Sequence, residues 1–354
     1  MNNEASRKVY IDFLKIIAIY MVIFNHTGID GFALYTVSQG SYFFPLYLFN
    51  AIFIKIAVPL FFMTSGALLL NKQETFKTIF FKRFLKYLLI LIIGSLIAYC
   101  YTSRNELEIM TVSYFIKTLY SNRLTTAYWY LYAYLSYILM LPFIRRLAKA
   151  MTDHEYFIMT MLYSAMKLLP IIEFLIWKGE ISHNTYFSFF ITIDYVFYPL
   201  MGYFIEQRLS VNSFSKIKLF SLIALSICTI IACCLITQYK CSLFNDWSES
   251  SSQTFFNSLI FIPSFTVFYT VKIWFTKHPP SIMLSQIINH VGGTVFGIYL
   301  FEQIYRNETK DVFYFLKPYI GTLLSCWIWI LSACLIGIIV TSILQKIPGI
   351  NRFL

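Results

Sequence analysis

Residues 7–28 read RKVYIDFLKIIAIYMVIFNHTG, and how this stretch is taken decides the fold. From Tyr10 to Phe24 the side chains are almost all apolar, as in a helix that crosses a hydrocarbon core. The stretch does not read as a cleavable signal peptide. No small-residue cleavage site follows it, and Asp12 and Lys15 interrupt the run. It reads as the first spanning helix.

The same texture continues down the chain. Of 354 residues, 58% are hydrophobic and 13% charged, whereas a soluble domain carries about 25% charged residues. A water-soluble enzyme, a disordered chain, a collagen-like repeat and a disulfide scaffold are all excluded. The net charge of +11 does not mark a nucleic-acid surface, because the basic residues lie between hydrophobic runs. The seven cysteines form no CxxC pair and read as small apolar fillers, with no metal implied.

Hydropathy predicts an all-α integral membrane bundle of about ten helices: 10–28, 45–70, 80–102, 124–144, 155–177, 184–205, 217–238, 254–276, 284–305 and 318–345. No linker or repeat announces a second domain, so one membrane-embedded domain over 1–354 is expected. Lysine and arginine crowd alternate connectors. Arg7 and Lys8, then Lys72, Lys77, Lys82, Arg83 and Lys86, then Arg145, Arg146 and Lys149 lie on one side. Arg104, Lys117, Arg123, Lys178, Arg306 and Lys317 are sparser on the other. The positive-inside rule then predicts both termini in the cytoplasm.

Ionisable residues inside such helices are expensive and are usually paired or functional. Here they are Asp12, Lys15, His26, Lys55, Lys167, Glu173, Asp194 and Glu302. Asp12 and Lys15 are three apart and can pair. Lys15 and His26 share a helix face about 16 Å apart along the axis. Asp12 is then too far from His26 to orient it as a triad carboxylate would. An imidazole there can act as a proton acceptor near neutral pH or as a helix-to-helix hydrogen-bond donor. The other four histidines read as interfacial. Arg83 and Lys86 open the third helix and suit either a phosphate ligand or anionic lipid.

These residues arrive in a recognisable order. Residues 7–28 resemble the first helix of acyltransferase family 3, the integral-membrane acyltransferases of envelope glycans. Asp12 and His26 match, and Lys15 stands where arginine is commonest. KIAVPLFFMTSGALLL, from Lys55 to Leu70, resembles the family's VPLFFxxSG helix, including Ser65. Arg83 and Lys86 fall at its R-x-x-R pair. Trp129 and Tyr130 match its "WYLY" block, and VFGIYLFE places Glu302 at a usual histidine. The subgroup most similar is the single-domain one.

The resemblance implies a multi-pass plasma-membrane O-acyltransferase, moving groups other than aminoacyl groups. It implies a cytoplasmic acyl-CoA co-substrate, most often acetyl-CoA, an envelope saccharide or lipid-linked glycan acceptor, and no bound cofactor, metal or nucleic acid. Catalysis would fall to His26 with Lys15 and Asp12. Acyl-CoA binding would fall to Arg83, Lys86 and Lys55, with Ser65, Trp129, Tyr130 and Glu302 in support. Competing readings are a polytopic transporter or flippase for an envelope glycan or lipid, and an inactive membrane subunit.

Overall fold

The computed structural model describes residues 8–103, 111–121, 125–184 and 186–353. Arg7, Arg104 and Arg123, which enter the charge bias, lie outside the described residues. The described chain is 81% helical with no strands. In order the helices are α1 (Val9–Asn25), α2 (Phe44–Phe53), α3 (Ala57–Leu69), α4 (Phe76–Thr102), α5 (Val112–Ser121), α6 (Trp129–Ala150) and α7 (Asp153–Trp177). They continue as α8 (Asp194–Gln207), α9 (Lys216–Phe244), α10 (Phe261–Lys277), α11 (Ile282–Glu308), α12 (Lys310–Ile320) and α13 (Thr322–Leu344).

Among the described residues, five segments are long and apolar enough to cross a membrane: Phe44–Leu69, α4, α7, α9 and α13. Their outward faces explain why a membrane is needed. Leu89, Ile93 and Leu96 on α4, Leu225, Ile231 and Leu235 on α9, and Leu335, Ile339 and Ile343 on α13 are all exposed. Patches of that extent belong against lipid. α1, α8 and α10 are 17, 14 and 17 residues long, short of the roughly 20 that a span takes.

Element boundaries move from the sequence reading for local reasons. α8 starts at Asp194, not 184. The preceding loop finds other partners, since His183 N–H donates to Glu173 Oε1 at 2.9 Å and Tyr186 N–H to Asn184 Oδ1 at 2.9 Å. Such side-chain acceptors compete with a helix. α13 starts at Thr322 because Gly321 adopts φ +78°. α5 and α12 were not expected. They are 10 and 11 residues long, and a hydropathy window tuned to spans passes over short amphipathic helices.

The chain divides into two compact units. The first, Met1–Asn71 with Arg146–Gly292, is built on α3, which packs against both α1 and α8. The α3–α8 contact is backbone to backbone. A Cβ at Gly66 would lie 2.0 Å from Pro199 O, and one at Gly202 would lie 2.0 Å from Met63 O. Small residues let membrane helices approach this closely. At one end, Glu206 accepts from Lys8 Nζ and Tyr10 OH. Lys272 Nζ donates to the carbonyls of Ile205 (2.6 Å), Glu206 (3.2 Å) and Leu209 (3.0 Å). A buried ammonium thus caps the open carbonyls at the C-terminus of α8.

The second unit, Lys72–Arg145 with Gly293–Leu354, joins α11, α12 and α13. Gly297 would bring a Cβ within 2.4 Å of Thr341. Gln345 Nε2 donates to Gly293 O at 3.0 Å, and Trp329 Nε1 to Arg306 O at 2.9 Å. Phe313 of α12 packs on Trp329.

The glycine contact makes a clean prediction. Gly66→Ala and Gly202→Ala should each destabilise the protein by about 1–3 kcal/mol, the usual overpacking penalty. Gly40→Ala, where a Cβ meets nothing within 4 Å, should be neutral. Melting of the detergent-solubilised variants checks this; three equal melting temperatures would contradict the contact.

Candidate active site

In the first unit, α1 carries three predicted residues. Asp12 is buried, and Lys15 Nζ donates to its Oδ1 at 3.1 Å, the i,i+3 pair that the spacing implies. Room for this carboxylate comes from Gly292 of α11, where a Cβ would lie 2.4 Å from Asp12 Cβ.

His26 departs from the sequence reading. The helix ends at Asn25, and His26 is its C-cap at φ −98°, ψ 9°, in the bridge region where active-site residues often sit. The turn behind it is fixed by Thr27. Its Oγ1 donates to Phe24 O at 2.7 Å and accepts from Phe32 N–H at 2.9 Å. Gly28, at φ +57°, reverses the chain with little strain. Its carbonyl accepts from Ala33 N–H at 2.7 Å.

Lys55 meets the same turn. It lies in the 3-10 break Ile54–Ile56 between α2 and α3, a feature that often marks a functional irregularity. Its Nζ sits 4.3 Å from the Phe32 ring centre and donates to Gln253 Oε1 at 2.9 Å. Gln253 in turn donates to Glu249. His26 and Lys55 are therefore both anchored to the Thr27–Phe32 loop. Ser65 is half-buried on α3, one residue before the glycine contact.

The remaining intramembrane charges of this unit are internally matched. Lys167 Nζ lies 2.8 Å from Asp194 Oδ1, which also accepts from Tyr163 OH at 2.9 Å. Glu173 Oε1 lies 2.7 Å from His183 Nδ1. His183, read as merely interfacial from sequence, is thus held by a buried carboxylate.

The second unit gathers most of the other predicted residues. Arg83 lies on a π-helical turn, Ile79–Phe84, inside α4, and Lys86 follows it. The Arg83 guanidinium is engaged: Nε donates to Glu74 Oε2 at 3.0 Å and Nη2 to Oε1 at 2.6 Å. Arg145 Nη2 donates to the same Oε2 at 2.7 Å. Lys86 Nζ lies 5.8 Å from the Tyr87 ring centre.

A run of aromatic rings leads from there toward Glu302. Tyr87 meets Tyr134 edge-on at 5.0 Å, Tyr134 stacks on Tyr130 at 5.8 Å, and Tyr130 meets Tyr299 at 5.7 Å. Trp129 sits edge-on to Tyr130 at 6.3 Å. The run ends at a kink in α11, where Phe301 leaves helical geometry at φ −116°, ψ 15°. Two reciprocal phenol bonds hold the kink against the start of α6: Tyr128 OH to Leu300 O at 2.7 Å, and Tyr299 OH to Ala127 O at 2.6 Å. Glu302, just past the kink, is buried with Arg306 Nε at 3.3 Å. Sequence reasoning raised Lys55 as a partner for Glu302. The bonds described here give Lys55 to Gln253 and Arg306 to Glu302.

Sequence reasoning also missed Glu74, and it passed over Arg145, Tyr134 and Tyr299 as site residues. The i,i+4 spacing of Tyr130 and Tyr134 was a readable signal for the stack. Nothing in the sequence marks Glu74, which lies in a polar connector.

Among the described residues, membrane-length apolar helices, internally paired charges and a histidine on a fixed turn fit a membrane-embedded enzyme. Comparison with family models makes this specific: the acyltransferase domain of family 3 matches residues 8–346, and the chain belongs to that family. It is an acyltransferase. Searches of curated proteins and of solved structures gave no match.

Glu74 gives this site a pH signature. Its carboxyl is held down to about 2 from 4.5. The Arg83 hydrogen bonds are the main cause, with the Arg145 bond and both guanidinium charges adding and burial opposing. A carboxyl more acidic folded than unfolded adds stability that is full above about pH 4.5 and is lost as pH falls toward 2. The wild-type melting temperature in detergent should therefore drop across that window, and that of Glu74→Gln should drop less. Equal acid slopes would mean that the bridge does not form in solution.

Proposed function

We propose that the chain is a plasma-membrane O-acyltransferase that takes an acyl group, acetyl in the reading put forward here, from cytoplasmic acyl-CoA. The acceptor is a hydroxyl of an envelope saccharide or lipid-linked glycan. Both termini face the cytoplasm, and the bundle acts as one domain without a resident cofactor. The observation that carries this reading is His26. In a chain of this family, it is the imidazole that closes a helix whose other end holds the Asp12–Lys15 pair, and it sits on a turn that Thr27 bonds twice.

His26 acts as general base. It accepts the proton of the acceptor hydroxyl as that oxygen attacks the thioester carbonyl. The tetrahedral oxyanion then collapses, the C–S bond breaks, and the imidazolium returns its proton to the departing CoA thiolate. The products are an O-acyl ester and CoA. Lys15 and Asp12 hold the charge balance of α1. Arg83 and Lys86 take the donor's phosphates. Lys55, held between Phe32 and Gln253, contributes to donor binding and is the ammonium best suited to the carbonyl oxygen. Ser65, Trp129, Tyr130 and Glu302 are supporting groups, the two aromatics offering ring faces to sugar or pantetheine.

The test incubates membranes containing the protein with labelled acetyl-CoA and follows base-labile label on envelope saccharide. His26→Ala should lower transfer by about 10²- to 10⁴-fold, the typical worth of a general base, while the protein still accumulates in membranes. Undiminished labelling by that variant would remove His26 from the chemistry. Thr27→Val should lower the rate constant more than it changes the Michaelis constant for acetyl-CoA, because it loosens the turn and leaves the donor contacts in place.

A further inference from the structure

An apolar groove of about 350 Å³ runs between α7, α8, α9 and α10 of the first unit. Small-molecule sites measure roughly 300–1,000 Å³. Its floor is Tyr156 and Met201, both buried, with Phe204. Its rim is Phe157, Met161 and Leu225, which are 60%, 48% and 49% exposed. These rim residues lie on α7 and α9, two helices long and apolar enough to cross a membrane. The groove therefore opens sideways, where the bilayer lies. On α7 it extends from Asp153 to Met161, about 12 Å along the axis. Half of the hydrocarbon core measures roughly 15 Å, so the groove has the depth of one leaflet.

The wall suits hydrocarbon. Its hydroxyls are spent within the protein: Tyr156 OH donates to Ala148 O at 3.0 Å, and Thr160 Oγ1 donates to Tyr156 O at 2.9 Å. Met161 and Met201 are unbranched and adapt to a flexible chain. The end at the bilayer surface differs. Asp153 is held there by Arg208, whose Nη1 donates to Oδ1 at 3.0 Å and whose Nη2 donates to Met151 O at 3.0 Å. Lys218 stands one turn before the wall residue Leu222 on the same face of α9. Lys218 and Lys216 are both exposed. With Asp153 matched by Arg208, and Glu155 folded back onto Thr152 at the start of α7, the two lysines set the sign of that end.

We propose that this groove holds one acyl chain of an anionic glycerophospholipid, with the headgroup phosphate beside Lys218 and Lys216. An apolar channel of leaflet depth with a basic end matches a lipid whose charge sits at the surface and whose chain runs inward. The wall supplies the affinity, and the lysines supply the preference for a negative headgroup. No covalent bond changes. None of the residues of this site is among those assigned to acyl transfer, and the site does not depend on that reaction.

The experiment follows lipid binding to the purified full-length protein in detergent by native mass spectrometry, using phosphatidylglycerol and phosphatidylcholine with identical chains. Wild type should bind one phosphatidylglycerol about tenfold more tightly than phosphatidylcholine, the scale that two lysines beside a headgroup provide. Leu222→Trp places a ring in the groove and should weaken both lipids about tenfold. Lys216→Gln combined with Lys218→Gln should bring phosphatidylglycerol down to the level of phosphatidylcholine and leave phosphatidylcholine unchanged. Leu225→Trp, at the exposed rim, serves if Leu222→Trp folds poorly. Its added fluorescence should be quenched by one equivalent of phosphatidylglycerol with brominated chains and restored by the unbrominated lipid.

Unchanged binding of both lipids to Leu222→Trp, or no quenching of Leu225→Trp at one equivalent, overturns the groove as a lipid site. Equal affinity of the wild type for the two lipids, unmoved by the lysine substitutions, overturns the anionic headgroup. A dimer in detergent that Leu222→Trp dissociates would seat a second copy of the chain in the groove and overturn the lipid assignment.

Discussion

An ionised side chain held among apolar helices has to find its partners inside the protein, because little water reaches it there. That requirement organises the fold. A lone charge at mid-bilayer costs about 2.5–3.5 kcal/mol even on the lenient insertion scales, so the chain arranges charges in short-range sets. Asp12 has Lys15, Asp194 has Lys167 and Tyr163, and Glu302 has Arg306. Glu206 takes Lys8 and Tyr10, while Lys272 spends its protons on the open carbonyls of α8. Several of these sets also tie one helix to another, so the cheapest way to bury the charge doubles as a way to fix the packing.

Interruptions of regular helix recur at the chemically interesting residues. His26 caps α1 in the bridge region, Lys55 occupies a 3-10 break, Arg83 sits on a π turn, and Glu302 follows a kink. An unbroken helix satisfies its own backbone and points side chains in fixed directions. A break frees a carbonyl or redirects a side chain, and the neighbourhood must then compensate. That is what Thr27 does at the end of α1, and what Tyr128 does by donating to Leu300 O at the α11 kink. Such irregularities are where a membrane bundle can place polar atoms toward a ligand without exposing its backbone to lipid.

Much of this was legible in the sequence, and the limits are physical. The helical class followed from composition, and the Asp12–Lys15 pair followed from i,i+3 spacing on a known helix. Family membership followed from ordered blocks, each short, that a match over residues 8–346 bears out. What could not be read was anything that depends on where two distant segments meet. Glu74 is an ordinary glutamate until α4 and α6 bring Arg83 and Arg145 to it. The short helices α5 and α12 escaped because span-length hydropathy is blind to elements of 10 and 11 residues. The late start of α8 escaped because Glu173 and Asn184 draw the loop into side-chain bonds that no periodicity records.

The distribution of lysine and arginine carries a further argument. Family resemblance sets arginine at the positions of Lys15 and Lys86, and a guanidinium and an ammonium are not interchangeable. Lys15 serves a partner three residues away on its own helix, where a single ammonium proton reaches a single oxygen. Lys86 lies over the edge of an aromatic run, where a compact cation can also be stabilised. Arg83 and Arg145 are the cations seen using fork geometry on Glu74 in a bidentate or shared fashion. The substitutions therefore fall where one hydrogen bond or a ring face suffices, and the planar cation is kept where two oxygens must be held at once.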